Sequence, residues 1–134
     1  IFIAAWHYGS KTGAMVGGLT GLLLDLLAGY PQWMIFSLLI HGGEGWVIGK
    51  YGLNPSIGKR VFGNFLGGLV MVVGYWLAGS FLIWLNGGAK MQLGPAFLAG
   101  LADVPANIMQ VLAGFILALL LSVPLRKILM PKSH

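Results

Sequence analysis

Trp33, Ser37, His41 and Glu44 stand four, four and three positions apart in an otherwise apolar stretch. On a helix those steps keep all four within about 80° of one another, so they form one polar stripe. An imidazole and a carboxylate one turn apart can hydrogen-bond each other, or they can offer donor and acceptor groups to a ligand in a low-dielectric site. The spacing is compatible with both. Two such residues are too few to hold a metal ion, and no metal site is expected. Asp25 continues the row Gly13, Gly17, Gly21 one turn further, and Gly17, Gly21 and Asp25 share a face. Its carboxylate either bonds neighbouring helix ends or contacts a ligand, because a carboxylate in an apolar segment is costly without a partner. Asp103, Asn107 and Gln110 fall on one face by steps of four and three. Asp103 suits a helix cap, while the two amides bridge helices or hold a ligand, with ligand contact favoured. Tyr75 and Trp76 flank a small-residue face formed by Gly67, Met71, Gly74 and Ala78, which is read mainly as packing.

None of these groups makes a nucleophile with its base or a nucleotide-binding loop. The chain has no cysteine, which excludes disulfides, thiolate catalysis and Cys-based metal sites. No catalytic residue is expected. A polar pocket in a helical bundle suits a carrier or receptor better than an enzyme.

The elements that must position these residues follow from composition. Apolar residues make up 57% of the 134 and charged residues 8%, against about a quarter charged in a soluble domain. An all-α, polytopic membrane protein is the fold class. At roughly 20 residues per crossing the length allows at most five or six spans. Four are predicted, at about 12–28, 33–51, 61–85 and 106–125, in a single transmembrane domain. Residues 1–8 look like the end of an earlier span, and the chain opens inside an apolar stretch, so N-terminal helices are expected to precede it. A shorter apolar run at 93–102 is too brief to cross and is expected to lie at the interface or dip in from one side. The 22 glycines are read as sites of close helix packing.

A net charge of +5 does not point to nucleic acid, since the cations sit singly or in pairs between apolar runs. Counting breaks alternately puts Lys11, Lys50, Lys59, Arg60, Arg126, Lys127 and Lys132 on one side and Lys90 on the other. The positive-inside rule then makes the C-terminus cytoplasmic and the loops at 29–32 and 86–105 external. The polar groups gather in the outer half.

Three segments carry a family resemblance. The run Gly13-Ala14-Met15-Val16-Gly17-Gly18-Leu19 through Leu24-Asp25-Leu26-Leu27-Ala28-Gly29-Tyr30-Pro31 is similar to the substrate-binding S components of energy-coupling factor (ECF) vitamin transporters. Ile40-His41-Gly42-Gly43-Glu44-Gly45 resembles that family's IKGxxG segment, and Pro105-Ala106-Asn107-Ile108-Met109-Gln110 its PGNxxQ start of the final helix. Together they reach from Gly9 to near the end. The resemblance implies a bundle of six membrane helices in a bacterial plasma membrane, with the first and most of the second preceding Ile1. It implies partners too: a transmembrane T component and two ATPases, which hold the ATP and magnesium, while this chain carries no cofactor of its own.

By the resemblance, Asp25, Tyr30, His41, Asn107 and Gln110 inherit a substrate-binding role; Trp33, Glu44 and Tyr75 join them from geometry. His41 stands where the family segment has lysine, which counts against an anionic ligand and a simple riboflavin assignment. Hydrogen-bonding groups beside Trp and Tyr favour a small aromatic heterocycle bearing amino or hydroxyl groups. The hydroxymethylpyrimidine precursor of thiamine and pyridoxine-type compounds both fit. A proton-coupled secondary carrier using His41 and Glu44, and a structural subunit without ligand, are the alternatives.

Overall fold

Glycine at position 9 decides how the chain begins. In the computed structural model, which describes residues 1–129, Gly9 has φ 85° and ψ −168° within α1 (Phe2–Ala28). That left-handed region is open to glycine and strained for other residues. The chain reverses there: a Cβ on Gly13 would lie 2.9 Å from the Ala5 Cβ, and one on Gly17 3.5 Å from Ile1 Cγ2. In a continuous helix, residues sixteen apart would be roughly 24 Å distant. Helix α1 is therefore two limbs, 2–8 and 10–28, folded against each other, and the expected break after residue 8 is a one-residue corner.

Four more α-helices follow among the described residues. They are α2 (Met34–Gly52), α3 (Ile57–Asn86), the short α4 (Leu93–Gly100) and α5 (Val104–Leu129). Trp33, predicted to open the second span, lies in the single 3-10 turn Pro31–Trp33 before it. Left-handed Gly29 closes α1 and lets the Tyr30 N–H reach the Asp25 carbonyl at 2.8 Å. Three helical stretches are long and apolar enough to cross a membrane: Phe2–Ala28, Ile57–Asn86 and Leu93–Ser122. The first of them contains the Gly9 corner, so the limb 10–28 is its crossing part. Helix α2 falls outside that set; its face carries the polar stripe, and eight of its residues are buried. Lys132, one of the cations counted above, lies outside the described residues.

Glycine brings α1 and α2 together antiparallel. A Cβ on Gly13 would strike the Gly45 carbonyl, one on Gly17 the His41 carbonyl, and one on Gly21 would come within 2.7 Å of the Ser37 carbonyl oxygen. Such backbone contact replaces the driving force that burial in water would supply. On its other side α2 packs against α3, with Ile40 among Met71 and Ala78 and Ile48 against Gly67. Helix α5 returns along α3 through Val111 on Gly68 and touches limb 2–8 through Phe115, whose ring meets Phe2 and Trp6 edge-on. The short α4 turns back onto α3: Trp76 Nε1 donates to the Phe97 carbonyl at 2.9 Å, and Gly100 rests on Ser80. Large apolar side chains face outward all round, among them Leu27, Ile35, Leu39 and Leu120. This is an all-α membrane bundle, whose outer solvent is lipid.

Candidate functional site

Because α2 lies between α1 and α3, its polar stripe is enclosed rather than exposed. His41 Nδ1 donates to Glu44 Oε2 at 2.8 Å, and both residues are buried. The carboxylate fixes the ring's orientation and tautomer and leaves the second ring nitrogen for another partner. One turn toward the start of α2, Ser37 Oγ and the Tyr75 hydroxyl share a hydrogen bond of 2.7 Å, which ties α2 to α3. The Tyr75 ring meets His41 edge-on at 5.5 Å and Trp33 at 5.8 Å between centroids. Trp33 in turn packs on Phe36 and lies over Gly79, where a Cβ would approach its ring to 3.4 Å. Trp33, His41, Glu44 and Tyr75 thus form one cluster, an aromatic cup over a buried imidazole–carboxylate pair.

Asp25 reaches the cluster from α1. The register that pairs Gly13 with Gly45, Gly17 with His41 and Gly21 with Ser37, carried one turn further, sets Asp25 level with Trp33. Asp25 Oδ2 is enclosed and accepts no hydrogen bond among the described residues. Among the described residues, that oxygen caps no neighbouring helix end. Tyr30 sits at the rim, half exposed.

The final helix behaves differently. Asn107 is half-buried, one turn before Val111 on the side that faces α3, whereas Gln110 is exposed. Gln110 is three positions from Asn107 but about 100° round from Val111, so the face it shares with Asn107 extends past the contact with α3. Asp103, in the turn before α5, is exposed as well. The hydrogen bonds that join Ser37, His41, Glu44 and Tyr75 involve neither amide.

Ser37, visible in the stripe but outside the predicted site, joins the cluster through its hydrogen bond to Tyr75. Phe36 and Gly79 were missed because only the packing of α2 on α3 brings them to Trp33. The buried pair gives a direct expectation. Glu44→Ala should lower stability by about 3 kcal/mol, because an imidazole loses its partner in a low-dielectric interior. Thermal unfolding in detergent would show it, with the His41→Leu/Glu44→Leu double variant recovering part of the loss.

Comparison with known proteins settles what kind of bundle this is. The family model of the ECF-type riboflavin transporter, S component, matches residues 1–127. The chain belongs to that S-component family. A curated relative, the thiamine precursor transporter HmpT of Lactococcus lactis subsp. cremoris, is 38% identical over 122 residues, covering 91% of this chain and 63% of its own. A Pyrococcus woesei protein described as an uncharacterized protein in the gap 3' region is 34% identical over 93 residues, 69% of this chain and 62% of its own. This S-component chain thus spans somewhat less than two thirds of the curated relatives it matches. The family is a transporter component rather than a catalytic one.

Proposed function

We propose that this chain is the membrane-embedded substrate-binding part of an ECF importer. It captures a water-soluble vitamin or precursor from outside, best hydroxymethylpyrimidine or a pyridoxine-type compound, for ATP-driven uptake. The observation that carries this reading is Asp25 Oδ2, enclosed and without a partner among the described residues, at the level of Trp33 in the α1–α2 register, with Trp33 packed on Tyr75. An acceptor in that setting calls for a hydrogen-bond donor from a ligand. An aminopyrimidine supplies one from its exocyclic amine while its flat ring stacks on the cup. The name of the Lactococcus relative, a thiamine precursor transporter, supports the same choice.

Orientation follows from charge. Lys11, Lys50, Lys59 and Arg60 lie at the end of the bundle where Gly9 meets Gly49, opposite the end that carries Asp25 and Trp33. With the cations cytoplasmic, the site opens outward and the C-terminus is cytoplasmic. ATP hydrolysis, with its magnesium, belongs to two ATPase subunits joined through a T component.

The decisive experiment is mass spectrometry of small molecules released from the purified protein. An aminopyrimidine is expected, and Trp33→Ala and Asn107→Ala should each reduce its retention about tenfold while the bundle stays assembled. Unchanged retention in both variants would rule out this pocket. The buried His41–Glu44 pair supports a second reading, proton-coupled uptake. In that case transport continues without ATP and collapses with the proton gradient, whereas ECF-driven uptake stops when an ATPase is inactivated. Release of no small molecule at all would favour a structural subunit.

A further inference from the structure

His41 is held from three sides. Its Nδ1 donates to Glu44 Oε2 at 2.8 Å, the Tyr75 ring meets it edge-on at 5.5 Å between centroids, and its Cδ2 lies so near α1 that a Cβ on Gly21 would come within 2.7 Å of it. Glycine at position 21 therefore admits the imidazole to the seam between α1 and α2. The ring atom next to Cδ2 is Nε2, and none of these three contacts uses it.

A carboxylate oxygen offers lone pairs only. The ring nitrogen that faces it carries the proton, and the other nitrogen of a neutral imidazole is left as a lone-pair acceptor. His41 is 7% exposed and Glu44 2%, so water does not compete for that bond and the low dielectric strengthens it. Glu44 thus sets the polarity of Nε2 through the ring. An acceptor fixed in this way binds an N–H or O–H group, whereas a carbonyl oxygen would meet it lone pair against lone pair.

The same seam holds a second acceptor one turn away. Asp25 follows Gly21 by four residues, about 6 Å along α1, and its Oδ2 is enclosed. That interval suits a single heterocyclic ring with a donor on each of two edges. We propose that Glu44 is a positioning residue that fixes His41 as a hydrogen-bond acceptor toward the ligand. The site then selects a heterocycle with two donors, an amine on Asp25 and a hydroxyl on His41 Nε2, and rejects one with a carbonyl in the hydroxyl's place. The ring and its amine rest on the vitamin reading given above; the tautomer of His41 does not depend on it.

Nitrogen-15 NMR of the full polypeptide in detergent reads the tautomer directly, with the His41 signals identified by their loss in His41→Phe. Before any ligand is added, Nδ1 should carry the proton and Nε2 should not. Isothermal titration then compares hydroxymethylpyrimidine with two analogues in which a formyl or a methyl group replaces the hydroxymethyl. The formyl compound matches the parent in size but only accepts at that position; the methyl compound neither donates nor accepts. Wild type should bind hydroxymethylpyrimidine about tenfold better than the methyl analogue, and the formyl analogue more weakly still. Glu44→Gln, whose amide donates as well as accepts, should leave the proton shared between the two ring nitrogens and shrink the hydroxymethyl-to-formyl ratio to less than about threefold. A protonated Nε2 in the unliganded wild type, a formyl analogue bound as well as the parent, or a ratio that persists in Glu44→Gln would overturn the proposal. Should wild type bind none of the three pyrimidines while His41 is protonated on Nδ1, the vitamin reading falls and the acceptor fixed by Glu44 stands.

Discussion

Asp25→Ala is expected to lower affinity for an aminopyrimidine ligand by about a hundredfold, the largest functional effect of any single substitution in the cluster. The magnitude follows from losing a charge-assisted hydrogen bond, worth roughly 1.5–3 kcal/mol, in a site sheltered from water. Asp25→Asn keeps one acceptor oxygen without the charge and should lose about tenfold. The same substitution carries an opposite expectation for the unliganded protein. Asp25 Oδ2 is enclosed without a partner among the described residues, so its removal should leave stability unchanged or raise it. Isothermal titration and thermal unfolding on one preparation distinguish the roles: a binding residue loses affinity with stability intact, whereas a structural carboxylate would lose both. A loss of stability in Asp25→Ala would place its partner inside the protein.

The second large effect concerns assembly. Gly45→Ala and Gly13→Ala should each destabilise the bundle by about 3 kcal/mol or more, because the new methyl meets main chain and not a movable side chain. The Cβ on Gly45 would lie against the Gly13 carbonyl group, and the Cβ on Gly13 against that of Gly45. Either substitution must separate α1 from α2. The opening carries Asp25 away from His41 and Trp33, so ligand affinity falls with stability. Gly94 supplies the control, since a Cβ there meets nothing within 4 Å and the residue is helical. Gly94→Ala should be neutral or stabilising by up to about 1 kcal/mol. Equal unfolding midpoints for Gly45→Ala and Gly94→Ala would show that the close α1–α2 contact does not hold the bundle together.

Much of the candidate cluster was legible because one helix carries it. Trp33, His41 and Glu44 occupy α2 or its entrance, and helical periodicity alone groups them. The His41–Glu44 hydrogen bond was legible for the same reason, being a contact one turn apart. Tyr75 needed more. It stands 38 positions from Ser37, and only the antiparallel packing of α2 on α3 makes their hydroxyls meet. Gln110 shows the opposite case. Its spacing from Asn107 is right for a shared face, yet α5 turns that part of the face outward, because Val111 on Gly68 sets the helix's rotation. Spacing reports which residues share a side of a helix; it does not report which side the neighbour takes.

The sequence by itself determined the solvent, the helices and their polar stripe. Those properties depend on composition and on periods of three and four residues, which are local. It also placed the glycines in a row and the cations at one set of breaks. Tertiary structure decided the rest. It turned Gly9 into a reversal of the chain, used the glycine row to press α1 onto α2 through their backbones, and enclosed Asp25 Oδ2 with no partner among the described residues. Each of these depends on the angle and register between helices, and those are set by side chains far apart in the chain. The polar stripe from Trp33 to Glu44 was therefore readable as a feature of one helix. It became a candidate site only when α1 and α3 closed on either side of it.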